Sequence, residues 1–306
     1  MTPRRCRIVC LGAAVMAHVF GVDALPARPI KVQATSYRER QGGSAATAAV
    51  AIAALGHGAA FWGCVGTDGD GTRLMARLAQ TGVDTATMRQ VAGGRTATTA
   101  AIGDAQGGTL LARFRGAGLD GDPSWLPLAD LALVDGVLAD THWPAGAHAI
   151  LRAARARGLP CILDATAGEA APLAELVALS DHAIFAAAGL RSLTGLGDPE
   201  AGLRAAQRFT TGLVGVTRDG APTLWLEDGV IRRQPAFPTR LHAGTGAMAA
   251  AAFRGAYALA AACGDIPAAA MRFAAAAAAL AGADDAGWSA MPDAAGVAAL
   301  LDTRVA

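Results

Sequence analysis

The sequence predicts an α/β protein whose sheet is mainly parallel and carries helices on both faces, and three observations lead there. From Leu131 onward, the apolar runs LALVDGVLAD, PCILDAT, HAIFAA and GLVGVTRD alternate with helical stretches such as 145–157 and 198–210. A small-residue turn, Ala243-Gly244-Thr245-Gly246-Ala247, feeds a helix expected to begin near Met248 and to run through Phe253 and Tyr257. With 306 residues, 53% of them hydrophobic, the chain can bury a substantial core in one large domain or two modest ones.

Taken in order, RIVCLG at 7–12 reads as a buried first strand ending in a glycine turn. Arg4, Arg5 and Arg7 followed by IVCLGAAVMAHVFGV also have the outline of a secretory signal, but His18 and Asp23 interrupt the run. The strand is the expectation adopted. Pro26, Pro29 and the alternating KVQATSYRER point to exposed β structure in a small flap, and Gly42-Gly43 opens the helix SAATAAVAIAALG, closed by Gly56. AAFWGCVG is a buried strand, and TDGDGTRLMARLAQTG is a loop entering an amphipathic helix, with Asp68 to Gly71 as turn and N-cap. Segments 95–101 and 109–115, around the turn 104–108, form a hairpin that completes the flap. Two last helices span 267–283 and 293–302.

Charge and composition narrow the function. A net charge of +1, from 26 basic and 25 acidic residues, gives no electrostatic reason for a nucleic-acid or membrane partner. No uncharged apolar run reaches the roughly 18 residues of a membrane span. The five scattered cysteines lack metal-ligand spacing and read as buried free thiols of a reducing, cytoplasmic compartment, so no metal site is expected. Chemistry should gather at the carboxyl ends of the strands, where Asp140, Asp164 and Asp219 fall, although each could instead cap the following helix. The turn at 243–247 aims backbone N–H groups at an anion, which suggests a phosphate site. A phosphoryl-transfer enzyme would place a carboxylate there too, yet no Asp or Glu occurs between Asp228 and Asp265.

Gly42-Gly43-Ser44-Ala45-Ala46-Thr47-Ala48-Ala49 through Gly56, then Gly63-Cys64-Val65-Gly66-Thr67-Asp68, and FRGAYALA before the last helices resemble, in order and spacing, the PfkB or ribokinase-like carbohydrate kinases over nearly the whole chain. The form GGxAATAA, with VLADTHWP and SDHAIF, is most similar to the sulfofructose kinase branch. The resemblance implies a single ribokinase-like domain over 1–306, a three-layer αβα sandwich, with a β lid from segments of about 14–41 and 95–115 that forms a homodimer contact. It implies ATP with Mg²⁺, and phosphoryl transfer to a hydroxymethyl of a small sugar or sugar derivative. The matching substrate positions are Gly42, Gly43, Thr47, Lys31, Asp140 and His142; the nucleotide and anion-hole positions are Thr217, Asp219, Gly244, Thr245, Gly246 and Ala247.

The departures from that family cluster at the chemistry. Counting back without a gap from Phe253, the family's catalytic Asp falls on Ala251; aligning on Thr245-Gly246-Ala247 puts it on Ala249. The family's substrate Asp falls on Ala17, and His142 stands where an anion-binding Arg is expected in the sulfofructose branch. Asp219 and Pro222 stand where the nucleotide segment usually has glycine, and Ala186-Ala187-Ala188 follow SDHAIF in place of an acidic residue. The expectation is a kinase homologue that is catalytically impaired, a pseudokinase in the limit. The alternatives are a competent kinase using a displaced base, His242 or Asp219, and a non-catalytic sugar- or nucleotide-binding or interaction module.

Overall fold

The structure is a computed structural model that describes residues 5–303 except 29, 107, 120, 167, 168, 219 and 240–243. The chain opens with β1 (Arg7–Leu11), leaves the body for β2 (Val15–Val22) and β3 (Ser36–Gly42), and re-enters through α1 (Ser44–Ala54). β4 (Gly58–Gly66), α2 (Gly69–Gln80) and β5 (Met88–Val91) follow, and a second excursion forms β6 (Ala97–Asp104) and β7 (Thr109–Phe114). The βα succession then runs β8 (Gly136–Asp140), α3 (Pro144–Arg155), β9 (Cys161–Ala165), α4 (Ala170–Leu179), β10 (His182–Ala186), α5 (Ala187–Thr194), α6 (Pro199–Ala206) and β11 (Leu213–Arg218). β12 (Ala221–Glu227), β13 (Val230–Gln234), α7 (Gly246–Ala262), α8 (Pro267–Gly282) and α9 (Ala294–Asp302) complete it.

The nine-stranded sheet has the order β13-β12-β11-β10-β9-β8-β1-β4-β5, parallel throughout except for β12 and β13. Side chains alternate across it as a pleat demands. Ile8 and Cys10 of β1 join the core under α1, α7 and α8, whereas Val9 and Leu11 join the core under α3 to α6. These two cores make the three layers. The excursions build a separate four-stranded sheet, β3-β2-β6-β7, with Val15 of β2 facing both Gly42 and Ala97. Among the described residues, no helix is long and apolar enough to cross a membrane.

Alanine and glycine let the helices on the α7 side approach closely. At Gly255, an added Cβ would stand 2.5 Å from the Ala48 carbonyl oxygen, so α7 meets the backbone of α1 there. Gly255→Ala is expected to cost about 1–3 kcal/mol by forcing the helices apart, read as a lower denaturant midpoint at unchanged slope. An unshifted midpoint would contradict this packing.

Several expectations need correction. Residues 131–133 lie in a 3₁₀ turn (Leu128–Leu133) and not in a strand; β8 begins at Gly136, which pairs with Ile8, because its register is set by the short β1. In KVQATSYRER only the part from Ser36 is strand, while the run at 15–22, inside the expected lid segment of about 14–41, is a full strand. β12 and β13 were not foreseen. α7 starts at Gly246, two residues ahead of Met248. The largest correction concerns the cysteines: Cys6 and Cys263, 257 residues apart, are joined as a disulfide because the sheet brings the start of β1 beside the C-cap of α7. Cys10 and Cys161 are buried thiols as expected, and burial pushes the Cys161 thiol up to about 12.

Candidate functional site

The carboxyl ends of the parallel strands open beneath the lid, and two buried carboxylates organise what lies there. Asp140, the last residue of β8, is completely buried. Its Oδ2 accepts from the backbone N–H groups of Ala13 (3.1 Å) and Ala45 (3.1 Å), and its Oδ1 accepts from that of His142 (2.9 Å). One carboxylate thereby holds the turn after β1, the first turn of α1 and the loop after β8 together. Gly12 has to be glycine, since a Cβ there would lie 2.2 Å from the carboxyl carbon of Asp140. Gly43, the N-cap of α1 at φ 100°, makes the sharp entry into the helix, and a Cβ on it would strike the Ala13 carbonyl at 2.0 Å. Burial pushes the Asp140 carboxyl up, but the His142 ring and the backbone N–H groups of His142 and Ala13 outweigh it, and the net shift is downward.

His142 Nδ1 lies 3.4 Å from Asp140 Oδ1, with the imidazole about one-third exposed (34%). The Asp140 charge, and to a smaller extent that of Asp164, raises the His142 pKa above its ordinary 6.5 against burial and Arg113. A raised folded value means that the contact contributes stability in full below the unfolded pKa and loses it as pH rises through the folded one. The melting-temperature gap between wild type and His142→Gln should therefore shrink from about pH 5.5 to about pH 8.5; a constant gap would contradict the pairing.

Asp164, at the end of β9, is also completely buried, and Arg254 of α7 is 1% exposed. The Arg254 Nε faces Asp164 Oδ1 as an ion pair, Nη1 donates to the Ala250 carbonyl (2.7 Å), and Nη2 donates to Thr217 Oγ1 (3.3 Å). Asp164 also accepts from the Ser44 hydroxyl and from Thr166 Oγ1 (2.6 Å). The network links α1, β9, β11 and α7 directly beneath the N-terminus of α7.

At that N-terminus the first-turn N–H groups point outward with the positive end of the helix dipole. Gly244, at φ 82°, is exposed with open space around it, and Gly246 and Ala247 begin the helix. Such a terminus fits a phosphate group. Thr245 turns the other way: it is buried, and its hydroxyl donates to the Gly282 carbonyl (2.7 Å). Residues three and four apart share a helix face, so Ala251 and Ala250 lie on the side of Arg254, whereas Ala249, five before it, is turned about 140° away. Both Ala251 (3% exposed) and Ala249 (7%) present only methyl groups.

The remaining positions divide. Gly42 ends β3 and Gly43 caps α1, so the diglycine stands where lid meets body. Thr47 is buried, and its Oγ1 accepts from Trp288 Nε1 (3.0 Å), which commits the hydroxyl to the core. Lys31 is exposed in the connection between β2 and β3. Thr217 Oγ1 donates to the Phe185 carbonyl (3.3 Å), and Asp219 and His242 lie outside the described residues. Ala17 sits in β2 of the lid. Trp143 stacks on Trp125 with ring centres 5.7 Å apart. Sequence reasoning missed Arg254, because an Arg inside an Ala-rich helix reads as a solvated side chain. It also passed over Glu169, the one exposed carboxylate in the described loops after β1, β8, β9 and β10. The lid is tied down from the other side, with Arg38 and Arg40 of β3 both paired with Asp285 and with Arg73 of α2 3.4 Å from Glu39.

Residues 6–286 match the family described as pfkB family carbohydrate kinase. Among solved structures, a protein from Agrobacterium tumefaciens provisionally assigned as a ribokinase is 31% identical over 97% of this chain and 98% of its own, with a TM-score of 0.91. A ribokinase of Arabidopsis thaliana complexed with ribose and ATP is 23% identical over 98% and 99%, with a TM-score of 0.85. A fructokinase of Xylella fastidiosa with bound ATP is 22% identical over 96% and 98%, with a TM-score of 0.79.

Proposed function

Belonging as it does to the pfkB family of carbohydrate kinases, this chain is, we propose, a sugar- and ATP-binding homologue in which phosphoryl transfer is impaired. The observation that carries the reading is the face of α7 above Arg254, where Ala250 and Ala251 offer no group able to take the proton of an attacking hydroxyl. The two aspartates at the strand ends do not substitute. Asp140 is closed off by three N–H donors, and Asp164 by Arg254, Ser44 and Thr166. The alternative displaced bases, His242 and Asp219, lie outside the described residues and gain no support from them.

The parts that bind are better supported than the part that reacts. The N-terminus of α7 would hold the phosphates of ATP, and Gly244 leaves room for their approach. Mg²⁺ would find Glu169 as the exposed carboxylate on the strand-end loops, since Asp140 and Asp164 are sealed. When bound, Mg·ATP supplies the transferable phosphoryl group; the protein's own residues position it and exclude water. The acceptor would lie over Gly42-Gly43, near His142. That imidazole, drawn toward its cationic form, favours a sugar bearing an anionic group, in line with the sulfofructose-like motifs. The outer lid strand β7 exposes Leu110 (58%), Leu111 (49%) and Phe114 (47%), which supports a homodimer formed through the lid. Titration calorimetry with Mg·ATP, ribose, fructose and sulfofructose tests the reading. Binding of ATP and of at least one sugar is expected, and failure to bind either would leave only a structural or interaction module.

A further inference from the structure

A second cluster of reactive side chains lies at the other end of the strands, where β1 begins. Cys6 immediately precedes β1, His57 lies between α1 and β4, and Cys263 is the C-cap of α7. One ligand atom from each, the two Sγ and an imidazole nitrogen, lie within 4.8 Å of one another. We infer that in its dithiol form this triad is a binding site for a soft divalent cation, Zn²⁺ above all, taken by two thiolates and one imidazole with water in the fourth position.

Four observations point the same way. Tetrahedral Zn²⁺ with bonds of about 2.3 Å to sulfur and about 2.0 Å to nitrogen needs its donors roughly 3.5–3.8 Å apart, inside the 4.8 Å within which the three ligand atoms lie. His57 Nδ1 accepts the Cys6 backbone N–H at 3.2 Å, so this nitrogen carries a lone pair beside Cys6, and on metal binding that lone pair would pass from the N–H to the ion. Cys263 closes the C-terminus of a 17-residue helix, whose negative dipole end favours a cation. Cys6 is buried while Cys263 is exposed, so the cluster opens to solvent on one side, where a water ligand and an entering ion have access. Sulfur and imidazole donors select Zn²⁺ over Mg²⁺, and the length of α7, about 25 Å, separates this site from the phosphate-binding end. The inference does not rest on the kinase reading.

The chemistry balances simply. Two molecules of a small thiol reductant convert the Cys6–Cys263 disulfide into two thiols and leave as their own disulfide; the cation then displaces one proton from each thiol. The bound ion would clamp the start of β1 and the end of α7, which the disulfide joins, and add the α1–β4 turn through His57.

The test is a Co²⁺ titration of the full-length, thiol-reduced protein, with Zn²⁺ as competitor. One equivalent of Co²⁺ is expected to give a thiolate-to-metal charge-transfer absorption that Zn²⁺ abolishes, and Zn²⁺ should raise the melting temperature. Cys263→Ser, at an exposed position that leaves the core intact, should lose the absorption; His57→Ala should weaken binding by more than about 100-fold, since even outer-sphere partners of metal ligands are worth 10–100-fold. If the reduced wild type takes up neither ion, or Cys263→Ser binds with unchanged affinity, the site is not a metal site. Loss of ATP binding with intact Co²⁺ uptake would count against the kinase reading alone.

Discussion

Arg254→Leu is expected to destabilise the protein by about 3–5 kcal/mol, because it strands the Asp164 carboxylate in a site that is 0% exposed. The side chain is 1% exposed, and its guanidinium reaches Asp164, the Ala250 carbonyl and Thr217. Asp164→Asn should cost less than the Arg254 change, since the amide still accepts from Ser44 or Thr166. The double variant Arg254→Leu with Asp164→Leu should recover most of the loss, because replacing a buried pair by apolar groups is often neutral. Denaturant unfolding of the wild type, Arg254→Leu, Asp164→Leu and their double variant closes the cycle. Additive losses would mean that the pair is not coupled as the structure shows.

Ala251→Asp is expected to raise ATP-dependent sugar phosphorylation by about 10²–10⁴-fold, the usual contribution of a general base. The new carboxylate would stand three residues before Arg254 on the same helix face, beside the helix end that would hold the phosphates, and the guanidinium would hold it ionised. Ala249→Asp is the control. Its side chain is turned about 140° from that face and should leave turnover at the wild-type level. If the two variants gain equally, or only Ala249→Asp gains, the register of the site along α7 is shifted from the one argued here.

Much of the body was legible in the sequence. The βαβ rhythm from residue 131 fixed the parallel sheet, Asp68 capped its helix as read, with Gly71 N–H at 2.9 Å, and Gly56 follows α1 with φ 86°. The diglycine, the hairpin at 95–115 and the small-residue entry to α7 also lie where the pattern put them. What was not legible is what depends on contacts distant in sequence. β2 hides in an apolar run because its partner β6 arrives 82 residues later, with Val15 opposite Ala97. The disulfide spans almost the whole chain, and no spacing rule signals such a pair. Asp140 and Asp164 were correctly placed at strand ends, yet their sequence positions do not reveal that each is sealed by partners from two or three other elements. Thr47 shows the same limit: its sequence position suggests a substrate contact, whereas Trp288, 241 residues away, takes its hydroxyl. Arg254 completes the pattern, since only the fold shows that this buried cation sits one helical turn from Ala251.

The most direct measurement is the rate of ADP formation by the wild-type protein at saturating Mg·ATP with ribose, fructose and sulfofructose in turn. A site lacking the base predicts turnover at least about 100-fold below the 1–100 s⁻¹ usual for kinases, with every sugar. Turnover within that range, with any one of them, would contradict the reading that the α7 face above Arg254 has lost its chemistry.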